Sequence, residues 1–374
     1  MREYALVFCV AAVVTFLLTP LIRRFSIKIG AMAAPRDRDV HSIPVPRMGG
    51  LAMLGGLAAA LFVARHMPTL RRTFTNSSET TAVLIAGVLI CAVGIIDDKW
   101  ELDALTKLAG QIVAAGTMVL LGVQIFIFYI PFGGVGTLLL GRDESVPLTI
   151  LLCVVTVNAV NFIDGLDGLA AGVTGISALA FFAYSYHLGK VGYDVAFAPT
   201  LICAVLAGIC IGFLPHNFSP ARIIMGDSGS MLLGLLLASA AITATSADAQ
   251  TFHTSFGSLP LLLPLVILAA VLAVPLVDLV LAVVRRVKAG RSPFSPDKKH
   301  LHHRLLEIGH SQRRAVLLIY FWAAVVAFGG VSMALVNSVP VIATLVGGLV
   351  VVALILSNVP RLRALRRSTK SSGG

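Results

Sequence analysis

The stretch TAVLIAGVLICAVGIIDDKWELDALTKLAG, residues 81–110, decides the fold. From Thr81 to Ile96 it carries no charge, then the adjacent carboxylates Asp97 and Asp98 end the run, and a second apolar block opens at about residue 105. With its flank the first block reaches the ~17–25 residues that a helix needs to cross hydrocarbon. The same unit recurs along the chain. Apolar windows predict spans at 4–22, 48–65, 80–96, 105–122, 147–162, 168–188, 195–214, 229–246, 259–284, 315–335 and 339–357. Of the 374 residues 57% are hydrophobic and 13% charged, and the mean hydropathy is +0.92; a soluble domain carries roughly 25% charged residues. Soluble, disordered, fibrous and disulfide-stapled classes are excluded. The five cysteines, Cys9, Cys91, Cys153, Cys203 and Cys210, all lie inside apolar blocks and read as packing.

The net charge of +11 is first a topology signal. In the first block positive charge follows the apolar run (Arg23, Arg24, Lys28) and no cleavage site closes it, so it reads as an uncleaved span with its N-terminus outside. That start places 23 of the 29 Lys and Arg on the cytoplasmic side. The expectation is an all-α polytopic membrane protein of about eleven transmembrane helices, with the C-terminus and the active site cytoplasmic. A single transmembrane unit spans 1–360, and 361–374 is a basic tail expected to be disordered near anionic headgroups. IFIFYIPFGG (125–134) predicts a small hairpin at the outer surface. No nucleic-acid function is read from the charge.

Six of the eighteen acids sit where an acid is expensive: Asp97 and Asp98, Asp164 and Asp167 in NAVNFIDGLDG (158–168), Asp227 in RIIMGDSGS (222–230), and Asp278 inside the ninth block. The first five fall on the cytoplasmic side. Asn158, Asn161 and, more loosely, Asp164 share one helical face before the glycine breaks at Gly165 and Gly168. Like charges held close are costly unless a cation joins them, so these segments predict a Mg²⁺ site, with Mn²⁺ as an alternative. Asp278 precedes Arg285 and Arg286 by seven and eight residues, so an internal ion pair, a groove-lining role and catalysis all fit it.

The loop GRSPFSPDKKHLHHRLLEIGHSQRR (290–314) supplies the opposite charge through His300, His302, His303, Arg304 and His310. Zinc is disfavoured, because no cysteine accompanies the histidines and the only carboxylates nearby are Asp297 and Glu307. Phosphate or diphosphate fits better: Arg gives forked hydrogen bonds, and imidazole donates or exchanges a proton near neutral pH. Acids for a divalent cation, a basic loop and a membrane face together describe phosphoryl transfer between a soluble activated donor and a lipid acceptor. An ion-coupled transporter is the main rival, but of the midspan acids it requires only Asp278 qualifies.

At these residues the chain resembles the polyprenyl-phosphate N-acetylhexosamine-1-phosphate transferases. The blocks that carry the resemblance are PVPRMGGLAM (44–53), GIIDDKW with TKLAGQ (94–111), NAVNFIDGLDGLAAG (158–172), NFSPARIIMGDSGSMLLG (217–234) and SPFSPDKKHLHHRLLEIGHS (292–311), in family order. The resemblance implies a Mg²⁺-dependent enzyme that transfers a sugar 1-phosphate from a UDP-sugar to a polyprenyl phosphate and releases UMP. Carried over by motif, Asp97 and Asp98 would bind or deprotonate the lipid phosphate. Asp164 and Asp167, also counted as catalytic, belong to the nucleotide and metal region, while Asp227 and Asn161 belong to the metal. Lys107, Asn158 and Asn217 are expected to bind substrate. His300, His302, His303 and Arg304 would meet the diphosphate and sugar, and His41, Gly49 and Gly50 border the site. HLHHRL resembles the N-acetylglucosamine-1-phosphate branch more than the pentapeptide branch, so UDP-N-acetylglucosamine is the expected donor, with UDP-N-acetylgalactosamine open. Similarity to actinobacterial members implies a decaprenyl or undecaprenyl acceptor. Direct attack and a covalent aspartyl-phosphate route use the same residues and stay open, as does a homodimer.

Overall fold

The computed structural model describes residues 1–33, 44–130, 136–192, 196–245, 311–335 and 344–353, with positions 268 and 340. His41, Asp278, the histidine loop with His300, His302, His303 and Arg304, nearly all of the span expected at 259–284 and the basic tail lie outside the described residues.

The described elements are α1 (Arg2–Ile29), β1 (Met32–Ala33), β2 (Val45–Pro46), α2 (Gly49–Arg65), α3 (Arg72–Thr75), α4 (Glu79–Trp100), α5 (Ala104–Leu120), β3 (Ile127–Ile130), β4 (Gly136–Leu139), α6 (Arg142–Ile163), α7 (Leu169–Lys190), α8 (Phe197–Asn217), α9 (Gly226–Thr245) and α10 (Gln312–Leu335). A further short apolar helix, α11, covers Thr344–Ala353. Seven of these helices, α1, α4, α6, α7, α8, α9 and α10, are long and apolar enough to cross a membrane. The protein is a polytopic, mostly helical membrane protein.

Local chemistry sets several helix ends. α1 stops at Gly30, whose φ of 74° is the left-handed cap that glycine adopts without Cβ strain, and Ala31 N–H reaches back to Ser26 O at 2.9 Å. α5 starts at Asp103, whose side chain accepts the N–H groups of Leu105 and Thr106, both at 3.0 Å. The expected hairpin is present: β3 and β4 pair antiparallel, Ile127 opposite Leu139 and Ile130 opposite Gly136. β1 and β2 form a second, two-residue ladder, Met32 opposite Pro46.

α9 is the central helix, its apolar window wholly buried and packed on α2, α4, α6, α7 and α8. In lipid, helices gain little from hydrophobic exclusion of one another, so close backbone packing through small residues matters more. Gly208 and Gly212, one turn apart on α8, face α1 so closely that a Cβ would fall 2.4 Å from Phe8 O and 2.2 Å from Ala12 O. Outer faces keep large apolar residues exposed, Phe16, Leu17 and Leu21 on α1 and Leu105, Val113 and Leu120 on α5, as expected of surfaces that meet lipid.

Candidate active site

Four helix ends meet at one end of the bundle: the C-termini of α4 and α6 and the N-termini of α5 and α9. Neighbours on a helix point about 100° apart, and the adjacent acids that close α4 diverge accordingly. Asp97 Oδ1 accepts Leu102 N–H at 2.8 Å, and its Oδ2 accepts Lys107 Nζ from α5 at 3.0 Å. The same ammonium donates to Asp227 Oδ2 on α9 at 2.6 Å. Lys107 therefore bridges two carboxylates from separate helices, the arrangement that offsets their mutual repulsion. Asn161, from the last turn of α6, donates through Nδ2 to Asp227 Oδ1 and, at 2.8 Å, to Ser230 Oγ.

Asp98 turns the other way. Its Oδ1 accepts Asp227 N–H at 2.8 Å, and its Oδ2 accepts Ser228 N–H at 3.2 Å and Ser228 Oγ at 2.7 Å. It caps α9 from outside that helix's own chain segment, where an anionic charge also suits the helix dipole. Gly226 has φ 69°, and a Cβ there would sit 2.4 Å from both Asp98 carboxylate oxygens, so glycine is needed for the approach.

The loops around this cluster are pinned by backbone. Ile224 N–H bonds Pro46 O at 3.0 Å, Gly49 N–H bonds Ile224 O at 3.2 Å and Gly50 N–H bonds Met225 O at 3.0 Å. Gly49 and Gly50 thus serve packing: a Cβ on Gly50 would lie 2.2 Å from Gly229 N. Asn217, 1% exposed, spends its amide within the fold, its Oδ1 accepting Gly168 N–H and its Nδ2 donating to Ile223 O, both at 3.0 Å. Buried Asp167 accepts Ala221 N–H at 3.0 Å through Oδ2. Both residues tie the 164–168 turn to the 218–225 loop. Asp164, partly exposed in that turn, is held well above the ordinary carboxylate range by burial, with the charges of Asp227, Asp98 and Asp167 adding to it and Arg47 opposing.

One turn behind Lys107 and Asn161, Gln111 and Asn158 pair amide to amide, Asn158 Nδ2 donating to Gln111 Oε1 at 2.6 Å. Gln111 is 1% exposed and also reaches Met231 Sδ at 3.4 Å. It lies in the quoted block TKLAGQ four residues after Lys107, a spacing that puts both on one face, yet sequence reasoning did not single it out. Asp97, Asp98, Lys107, Asn161 and Asp227 form one connected network, Asp164 stands beside it, and Asp167, Asn217, Gly49 and Gly50 frame it.

Among the described residues no three His, Cys, Asp or Glu side chains form a closed metal cage. Mg²⁺ rarely needs one: it binds through one or two carboxylates and completes its shell with water and substrate phosphates. Asp227, facing Asp97 across the Lys107 ammonium, is a carboxylate of that kind, and the side chain of Asn161 beside it carries an amide oxygen. The residues fit a hard cation.

The profile described as Glycosyl transferase family 4 matches residues 80–245, which run from α4 through α9 and hold the whole network. The decaprenyl-phosphate N-acetylglucosaminephosphotransferase of Mycobacterium tuberculosis (strain H37Rv) is 51% identical over 365 residues, 97% of this chain and 90% of the relative. The probable undecaprenyl-phosphate N-acetylglucosaminyl 1-phosphate transferase of Bacillus subtilis (strain 168) is 34% identical over 324 residues, 86% and 82% of the two chains. The undecaprenyl-phosphate alpha-N-acetylglucosaminyl 1-phosphate transferase of Salmonella typhi is 29% identical over 329 residues, 86% and 81%. On the site's residues and on this similarity along nearly its whole length, the chain belongs to glycosyl transferase family 4, in the branch of the polyprenyl-phosphate N-acetylglucosamine-1-phosphate transferases.

Proposed function

We propose that the protein transfers N-acetylglucosamine 1-phosphate from UDP-N-acetylglucosamine to a polyprenyl phosphate, decaprenyl or undecaprenyl, yielding the polyprenyl-diphosphate sugar and UMP. The observation that carries the reading is the bridge between Asp97 and Asp227 through Lys107, which gathers two acids and a cationic side chain at one end of the bundle. The mycobacterial relatives, named for transfer of phospho-N-acetylglucosamine to decaprenyl phosphate, support the donor sugar and the lipid class.

In the direct route a lipid phosphate oxygen attacks the phosphorus that bears the sugar. The new P–O bond joins lipid and sugar phosphate, the P–O bond to UMP breaks, and the bridging oxygen leaves with UMP. Positioning and charge stabilisation supply most of the catalysis in such transfers. An acid of the Asp97/Asp98 pair accepts the proton of the incoming lipid phosphate or orients it. Lys107, already shared between two carboxylates, neutralises charge on the diphosphate. Asp227 and Asn161 would hold Mg²⁺ (or Mn²⁺), which when bound supplies charge neutralisation on the phosphoryl oxygens. Asp164 and Asp167 shape the nucleotide side with Asn158 and Asn217, and His41, His300, His302, His303 and Arg304 complete the contacts to diphosphate and sugar.

The finer topology is part of the same reading: eleven spans in one unit over 1–360, the N-terminus outside, and the site on the cytoplasmic face. The distribution of Lys and Arg supports it. A homodimer is compatible with the reaction and not required by it.

The experiment is label transfer from UDP-N-acetylglucosamine carrying ³²P in the sugar-linked phosphate. Label that moves into the lipid fraction bears the proposal out. Label that stays on released UDP would make the reaction a simple glycosyl transfer.

A further inference from the structure

Two adjacent carboxylates at the end of α4 have different surroundings. Asp97 has two donors, the Leu102 backbone N–H and the Lys107 ammonium, and the second sits on a flexible side chain. Both acids are nearly buried, Asp97 6% and Asp98 5% exposed, but Asp98 accepts three hydrogen bonds, all from the first turn of α9. A carboxylate has about four lone-pair sites, so little of Asp98 is left to meet a substrate. A general base must come within hydrogen-bond reach of the proton it takes.

The turn that Asp98 holds is the one from which Asp227 projects. Two other sides of that turn are already closed: a Cβ on Gly94 would lie 2.3 Å from Ser228 Cα, and one on Gly50 would lie 2.2 Å from Gly229 N. Helix backbones pack α9 from α2 and α4, and Asp98 fixes it in direction through the very peptide N–H of Asp227. We infer that the acidic pair divides: Asp97 faces the reacting groups, and Asp98 is a positioning residue that acts on the transfer only through the first turn of α9 and the Asp227 it carries. The kinetic part of this inference rests on the transferase reading, while the structural part does not.

The test compares Asp98→Asn, Ser228→Ala and the double variant in the full-length protein in detergent, with three readouts. The first is hydrogen–deuterium exchange of the peptide over 225–231, the second Mn²⁺ affinity by electron paramagnetic resonance, and the third UMP release. Asp98→Asn keeps the acceptor for Asp227 N–H but puts an amide donor against Ser228, so exchange should quicken and Mn²⁺ binding weaken by about tenfold, the worth of one charge-assisted hydrogen bond. Ser228→Ala should move the same readouts in the same direction to a smaller extent, and the double variant should be no worse than Asp98→Asn alone.

Loss of turnover in Asp98→Asn with exchange and Mn²⁺ affinity unchanged would overturn the inference, as would fully additive effects of the two substitutions. Should Asp98→Asn fail to fold, Ser228→Ala with the exchange readout decides. Absence of lipid-dependent UMP release in the unsubstituted protein would sink the transferase reading alone, and the exchange and Mn²⁺ readouts would still decide how the pair divides.

Discussion

Replacing Lys107 with methionine keeps the aliphatic stem and deletes the charge that joins Asp97 to Asp227. The ammonium lies 3.0 Å and 2.6 Å from the two carboxylates, and the three side chains are 19%, 8% and 27% exposed, so water screens them only in part. Breaking a buried pair by removing one partner costs about 3–5 kcal/mol, because a desolvated charge is left behind. The residual exposure of Lys107 and Asp227 brings the expected loss below that range, to about 2–3 kcal/mol. Two carboxylates left facing each other should then welcome a divalent cation. Lys107→Met is expected to lower the unfolding midpoint of the metal-free protein, and Mg²⁺ should raise that midpoint more in the variant than in the parent. Tryptophan-fluorescence unfolding in detergent, with and without Mg²⁺, reads both. A variant as stable as the parent without metal, or one that gains no more from Mg²⁺, would refute the bridging role.

Three further substitutions probe the surroundings. Asp227→Asn removes the carboxylate assigned to the metal, worth several kcal/mol of transition-state charge stabilisation, so turnover should fall about a thousandfold, and near-normal turnover at low Mg²⁺ would take Asp227 out of the site. The Asp164 carboxyl titrates above its ordinary range, so its charge penalises the folded state above the raised pKa and not below the unfolded value of about 3.9. Asp164→Asn should therefore stabilise the metal-free protein at pH 8, with the gain fading as pH falls through the raised pKa; unfolding curves that show the same gain at every pH would contradict this. Asn217→Ala leaves the Gly168 N–H and Ile223 carbonyl without their partner, an expected loss of about 1–3 kcal/mol, and unchanged unfolding would mean that the clamp is dispensable.

Among the described residues the apolar blocks located the helices because each buries or shows lipid an uncharged stretch, and several ends were read short for the same reason. α1 runs Arg2–Ile29 against the block 4–22, and α6 runs Arg142–Ile163 against 147–162, since charged first and last turns stay helical beyond the hydrocarbon. The hairpin was legible in the β-rich IFIFYIPFGG, whereas β1 with β2, two residues each, and the single turn α3 are too short to show a period. That Asp97, Asn161 and Asp227 converge followed from acids on one membrane face. Which neighbour each residue meets did not: Asp97 and Asp98 are chemically identical, and only the placement of α5 and α9 separates them. Asn217, Gly49 and Gly50 hold loops together beside the network, a role that residue type alone does not distinguish from binding.

The central claim is a metal-dependent transfer to a lipid phosphate, and the most direct measurement is UMP release from UDP-N-acetylglucosamine by the purified protein, with polyprenyl phosphate and Mg²⁺ each omitted in turn. Release that requires both, and that UDP-N-acetylmuramoyl-pentapeptide does not replace, is the predicted result. Release that continues without the lipid or without the metal, or none with this donor, would contradict the account.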